Sequence, residues 1–415
     1  MKSRQTNKRN NFKRISGLLL FSSLLSVQWL SAQSGCTDPQ ASNYDVAATV
    51  NDGSCTYPVT NQALILKSVL PSLLSESSGL VFTDGQLWSN NDSGNPAAIY
   101  RVDTSNGSIL QTVFIDNYPN TDWEDLTADS AFIYIGDFGN NNATRRDLKV
   151  LKIAKASIST DSIVHLDAEA IAFSYADQSS FSSSNAENFD CEALTSVKDS
   201  LYLFTKDWGD LKTKVYKLPK TPGLYSVAPY SSFSVDGLIT GADYNPSSNE
   251  VVLIGYTGNY SESFLWFLND FTEDLFFSGN KRRIVMSNYH FWQTEGVAFA
   301  TSNRFFVSCE TIGNVDATLY SCREDWEPVL TSSLPISSES NFVLAPNPTT
   351  GMVHLLNIEA TSSFELFDYS GRRLMNGLLD KGSDGIDLQK LIPGQYHIEL
   401  TDSKGSRGEA SIVKQ

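Results

Sequence analysis

One short pattern occurs five times along this chain, each time opening a run of residues with strand character. The copies are Glu76-Ser77-Ser78-Gly79-Leu80, Asp122-Trp123-Glu124-Asp125-Leu126, Asp190-Cys191-Glu192-Ala193-Leu194, Leu238-Ile239-Thr240-Gly241-Ala242 and Gln293-Thr294-Glu295-Gly296-Val297. They start roughly 46 to 68 residues apart. A β-rich unit of that length that recurs stacks on its neighbours around an axis, and the result is a propeller. Between residues 61 and 328 short apolar runs such as Ala98 to Val102, Phe132 to Gly136, Leu201 to Thr205 and Val251 to Gly255 alternate with Gly, Asn, Asp, Ser and Pro. Each of the first four anchors is followed by about four strands, the fifth by about three. The apolar run Leu64 to Leu70 is left over, and as the fourth strand of the last blade it would close the ring and remove two exposed edges. The expected fold is therefore all-β, a propeller of five blades. Six is the alternative, because the long spacing from Glu124 to Glu192 has room for an irregular blade.

Residues 1–33 begin with a basic stretch (Lys2, Arg4, Lys8, Arg9, Lys13, Arg14), continue with an apolar run from Ile15 to Leu30, and end in Ser31-Ala32-Gln33. That order reads as a secretory signal peptide cut near Gln33, since the run is too short for a convincing membrane span. No later segment is long and apolar enough for one, so the mature chain is expected to lack a transmembrane segment. The formal charge is −16, and about −22 without the six leader cations. Acidity of this size argues against nucleic acid and anionic membrane as partners and favours cations, although a solubilising surface gives the same balance.

Five cysteines in an exported chain can pair. Cys36 and Cys55 bracket residues 34–58, which have too few apolar side chains to build a core, so a bridge is expected there. This Asp- and Asn-rich segment resembles a small cysteine-bounded module found at the ends of secreted bacterial proteins. Its Asp38, Asn43, Asp45 and Asp52 have the chemistry either of Ca²⁺ ligands or of turn residues. Cys309 and Cys322 lie near the ends of two adjacent strand-like runs and form a second candidate bridge, subject to register. Cys191, between two acids, reads as a small buried apolar residue rather than a reactive thiol.

Residues 329–342 are Ser-rich and read as a linker. Beyond them come Ala345-Pro346-Asn347-Pro348-Thr349-Thr350-Gly351, alternating runs at Met352 to Leu356 and Phe364 to Phe367, Asp368-Tyr369-Ser370-Gly371-Arg372-Arg373-Leu374, and Leu391-Ile392-Pro393-Gly394-Gln395-Tyr396-His397-Ile398. This order of motifs resembles the C-terminal sorting domain of the type IX secretion system of Bacteroidetes over residues 343–415. The resemblance implies a small immunoglobulin-like β-sandwich and the type IX machinery as partner. It also implies passage through the periplasm to the medium or the outer-membrane surface.

After each anchor the next strand ends on a polar group about 13 to 15 residues later: Ser78 with Asp92, Glu124 with Asp137, Glu192 with Asp207, Glu295 with Glu310. In a hairpin the start of one strand lies beside the end of the next, and the first strand of a blade lines the axis. Glu124, Glu192, Glu295, Asp92, Asp137, Asp207 and Glu310 are thus expected to ring one mouth, with Glu76, Asp122 and Asp190 near its rim. Two like charges 4 Å apart repel by roughly 4 kcal/mol at an effective dielectric of 20, so protons or a cation must relieve such a ring. Oxygen donors without His or Cys select a hard ion, and Ca²⁺ is the expected one. Glu295-Gly296 resembles the metal-binding position of gluconolactonase-like calcium propellers, over two residues only.

The fourth copy carries Thr240 in place of an acid, which leaves one arc of the ring open to a ligand of small-molecule, glycan or protein type. Trp88, Trp123, Trp208 and Trp292 stand near the anchors, as ligand platforms or as blade packing. Gly139-Asn140-Asn141-Asn142 reads as a turn at the mouth. Binding is the expected activity. The alternative is metal-dependent hydrolysis of a lactone, phosphoester or glycan, with Glu192 and Glu295 as the catalytic carboxylates. A nucleophile elbow and a phosphate loop are both absent from the sequence, and His165, His290, His354 and His397 are scattered.

Overall fold

Short β-branched and aromatic runs, broken by turn residues, become strands throughout the computed structural model. It describes residues 1, 32–286, 293–301, 304–313, 315–323, 343–345, 349–356, 361–368, 373–379, 385–392, 394–402 and 407–414. Most of the expected signal peptide, the expected linker, His290 and Trp292 lie outside the described residues.

Each repeat becomes an antiparallel sheet whose innermost strand carries the motif. The first sheet holds Ser77–Thr83, Gln86–Asn91, Ala98–Val102 and Ile109–Ile115; the second holds Trp123–Ala128, Phe132–Asp137, Lys149–Ala154 and Glu169–Tyr175. The third is Cys191–Val197, Ser200–Thr205, Lys212–Pro219 and Pro229–Ser234, and the fourth is Leu238–Asn245, Glu250–Tyr256, Ser263–Asn269 and Asn280–Met286. The fifth has Thr294–Thr301, Arg304–Cys309 and Thr318–Arg323, and Ile65–Val69 from near the N-terminus completes it in antiparallel register. Each inner strand touches the next, and the fifth touches the first, so the sheets close into a propeller-like ring.

The repeated motif has a mechanical meaning. In all five inner strands the register slips near its third position, a β-bulge that gives the inner strand one residue more than its partner. The fourth position is Gly79, Ala193, Gly241 or Gly296 in four copies because neighbouring backbones approach closely there. A Cβ on Gly79 would stand 2.5 Å from the Leu126 nitrogen, and one on Gly296 2.8 Å from the Ser78 carbonyl. Where the third position is a hydroxyl it ties one sheet to the next: Ser78 Oγ donates to the Glu124 carbonyl and Thr240 Oγ1 to the Thr294 carbonyl, both at 2.6 Å.

Outer edges are covered by strands from elsewhere in the chain. Ile163–Leu166 pairs parallel with the first sheet, Gly223–Val227 with the second, and Thr60–Asn61 with the fourth, which hides backbone groups that would otherwise template aggregation. The N-terminal module, closed by the expected Cys36–Cys55 bridge, is clamped to the fourth sheet. Asn51 Nδ2 donates to Asp270 at 2.7 Å and to Asn280 at 2.8 Å, and Lys281 Nζ donates to the Gly53 carbonyl at 3.1 Å. Cys36→Ser is expected to cost about 3 kcal/mol of module stability. It should open residues 34–62 to limited proteolysis under conditions where the parent protein resists; equal resistance would show that the clamp alone suffices.

The second candidate bridge does not form: Cys309 and Cys322 are both buried thiols. Register is the reason, since Cys309 lies opposite Thr318 and Cys322 opposite Phe305. Cys191 is buried, as expected, and burial together with Asp190 and Glu192 pushes its thiol pKa well up. At the C-terminal end two sheets share one apolar core. Val353 and Ile386 come from one sheet, and Leu366, Ile398 and Ile412 from the other. Among the described residues no helix is long and apolar enough to cross a membrane.

Candidate metal and ligand site

The bulges decide which side chains reach the axial mouth. Glu124, Glu192 and Glu295 sit in them, and Asp92 and Glu310 follow the ends of the adjoining strands, so these five expected carboxylates do gather. Glu124 feels the charges of Glu192, Asp92, Asp122 and Asp190; Glu310 feels those of Glu295, Asp92 and Glu76. Burial first, and like charge second, lifts them: Glu295 goes to about 7, Glu310 to about 8, and Glu124 well above the carboxylate range. Asp122 joins them and is raised to about 6, by burial and by Asp92.

Within this group Asp92, Asp122 and Glu124 each bring a carboxylate oxygen within 4.8 Å of the others. Gly139 makes room for them. A Cβ there would overlap the Glu124 carboxylate and stand 2.7 Å from Asp122 Cγ. Arg145 holds the Gly139 carbonyl at 2.8 Å and lies 3.9 Å from Asp122. Asn140 is spent on structure: its backbone N–H donates to Asp190 at 2.7 Å and its side-chain amide to the Phe189 carbonyl at 3.1 Å, in keeping with the turn role.

Two expected members of the ring are elsewhere. Asp137 pairs across the hairpin with Trp123 and lies beside the cluster rather than in it, held by Arg145 at 2.8 Å, Lys149 at 2.9 Å and the Asp122 N–H at 3.3 Å. Asp207 is buried, which raises it to about 7, and the other charges acting on it are Lys214, Asp210 and the rim residue Asp190. Strand side chains alternate, so a count that is off by one puts the wrong residue at the mouth. The residue that belongs there is Lys206, which sequence reasoning missed. Its ammonium lies 3.4 Å from Glu192 and over the rings of Trp208 and Tyr256, at 5.3 and 5.4 Å. Burial pulls its pKa down, but Glu192, Tyr256 and Glu295 outweigh that and hold it well above the usual lysine value. Trp88 and Trp123 are core residues, so of the described anchor tryptophans Trp208 alone faces this site.

The second copy breaks the small-residue rule with Asp125, and the axis explains the exception. Asp125 Oδ1 accepts from the Leu126 N–H at 2.8 Å, while Oδ2 accepts from Leu194 at 2.8 Å and Ala242 at 3.2 Å. One carboxyl group thus joins three inner strands. Burial keeps its pKa well above the usual range against the pull of those three donors. Past it, at the far end of the axis, lies a separate depression of about 400 Å³ lined by Val81, Asp129, Lys155, Asp243 and Phe299.

The C-terminal residues 343–414 match the sequence model of the secretion system C-terminal sorting domain. The tail is a type IX sorting domain. A sorting domain implies export, with the protein secreted or held at the outer-membrane surface, and the type IX machinery as its partner. No curated protein matches the sequence. Solved structures that resemble the chain include the PQQ-bound aldose sugar dehydrogenase of Streptomyces coelicolor, at 12% identity over 63% of this chain and 96% of that one, with a TM-score of 0.39. Others are the Cps50 (Swd1) β-propeller domain of Myceliophteria thermophila, at 9% identity, 85% and 100% coverage and a TM-score of 0.33, and a GH43_1 enzyme of Xanthomonas citri, at 10%, 62%, 90% and 0.36. Scores this low leave the fold resting on the sheet topology and the function on the site.

Proposed function

We propose that this chain is an exported binding protein, a five-bladed propeller with an immunoglobulin-like sorting tail, and that Ca²⁺ bound at the axial mouth forms part of its binding surface. The observation that carries the reading is the convergence of Asp92, Asp122 and Glu124 on one point with Gly139 left bare beside them. Three carboxylates without a nitrogen or sulfur ligand favour a hard dication, and Ca²⁺ tolerates irregular oxygen geometry better than Mg²⁺. Calorimetric titration of the purified protein with CaCl₂ is expected to show one site. Glu124→Gln should weaken it by about 100-fold, and Gly139→Ala, whose methyl group displaces that carboxylate, by a comparable factor. Affinity unchanged in both variants would remove the cation from this site.

Hydrolysis is the second reading, supported by Glu295. Its pKa of about 7 and its place near Lys206 suit a general base acting on a water at neutral pH. Loss of lactone, phosphoester or glycan turnover in Glu192→Gln and Glu295→Gln, with the fold intact, would favour it over simple binding.

A further inference from the structure

The mouth is chemically lopsided, and its less acidic side carries a message about the ligand. Lys206 is only 5% exposed, yet its charged nitrogen lies among the mouth groups. Glu295 is 4% exposed, and its Oε2 has no hydrogen-bond partner among the described residues. The two act on each other's charge. A buried donor and a buried, unsatisfied acceptor facing one space call for a group that accepts from the first and donates to the second, and a hydroxyl does both. Ring faces stand beside them. Trp208 is partly exposed and fixed by its indole N–H to Asp190 at 3.1 Å, and Tyr260 is partly exposed and stacked on Tyr256 with centroids 4.9 Å apart.

The charge balance narrows the class further. Asp92, Glu192, Glu295 and Glu310 all interact with the charge of Lys206, so an anionic ligand there would force protons onto these acids and bind less well as pH rises. A simple organic cation would satisfy Glu295 but would face Lys206. A neutral polyol fits both, and its hydroxyl oxygens are also ligands that Ca²⁺ accepts. The geometry points to a neutral carbohydrate as the ligand, with hydroxyls on the cation at Asp92, Asp122 and Glu124, another hydroxyl between Lys206 and Glu295, and an apolar sugar face on Trp208. This inference rests on the metal-assisted binding reading above.

The test is calorimetry on the full chain in CaCl₂ with a fixed panel: xylotetraose, mannotetraose, cellotetraose and galactose, with galacturonate and spermidine as charged comparators. At least one neutral sugar is expected to bind with a dissociation constant of about 1 mM or tighter, and Trp208→Ala and Lys206→Met should each weaken it by at least about tenfold. If Lys206→Met fails to fold, the tryptophan variant carries the test. Binding of no neutral sugar, binding that survives both substitutions, or binding of a charged comparator alone would overturn the carbohydrate assignment. Calcium binding without sugar binding would overturn it and leave the metal reading standing, whereas absence of calcium binding in the parent protein would sink that reading itself.

Discussion

Calcium is expected to raise the thermal midpoint of this protein by about 10 °C at pH 8 and by much less at pH 5. Glu295 and Glu310, at about 7 and 8, and the buried Asp207 and Asp243, both at about 7, all hold protons in the folded state that the unfolded chain releases near pH 4. Groups raised in this way contribute stability that is fully present below the unfolded value and is lost as pH climbs through the folded one. Raising a carboxyl from 3.8 to about 7, as burial does to Asp243, corresponds to about 4 kcal/mol against the ionised form. The cation-free protein should therefore be less stable at pH 8 than at pH 5. Asp129 works in the opposite sense: donors including Tyr134 and Lys220 lower it to about 2 despite burial, so its contribution fades only as pH falls from about 4 towards 2. The proposed dication would take over the neutralising role of the protons at the mouth, which is why its effect should grow with pH. Scanning calorimetry at the two pH values, with EDTA and with CaCl₂, checks both halves. A cation-free protein more stable at pH 8, or a calcium effect retained in Glu124→Gln, would contradict the scheme.

Replacing Asp125 with Ala should destabilise the ring by at least about 4 kcal/mol, the largest single-residue effect expected here. The side chain is the acceptor for Leu126, Leu194 and Ala242, and without it those buried N–H groups are left unpaired. Each such donor costs about 1 to 3 kcal/mol. Asp125→Asn should fall between, because its carbonyl oxygen still accepts while its amide turns N–H groups towards N–H groups. Urea midpoints of the two variants measure the difference. A loss below about 1 kcal/mol for the alanine variant would mean that water replaces the carboxylate.

The recurrence of the motif, the strand-rich interval and the use of Ile65–Val69 to finish the last sheet follow from residues visible in the chain, and so does the bridge in the N-terminal module. What the sequence could not provide is parity. Counting along a hairpin placed Asp137 and Asp207 at the mouth, but each inner strand carries an extra residue, and the side chain reaching the mouth in the third sheet is Lys206. Cys309 and Cys322 failed for a related reason, since their spacing does not reveal which residues stand opposite across the ladder. The unequal anchors were a usable signal. Asp125 occupies a position that is small in the other four copies, and a charged residue where glycine is the rule marks a place where the backbone needs an acceptor.

The closing strand has a consequence for how the molecule comes into being. Val69 lies opposite Thr318, so the ring is sealed by a contact between nearly the first and nearly the last residues of the propeller to be synthesised. Contacts separated by so much chain form late and slowly, because the loop entropy must be met before the pairing rewards it. Translation of the whole repeat array must finish before the last sheet can be made. Until then four complete sheets lack the fifth that joins the last of them to the first, and a chain stopped before residue 318 would be an open arc rather than a smaller version of the protein.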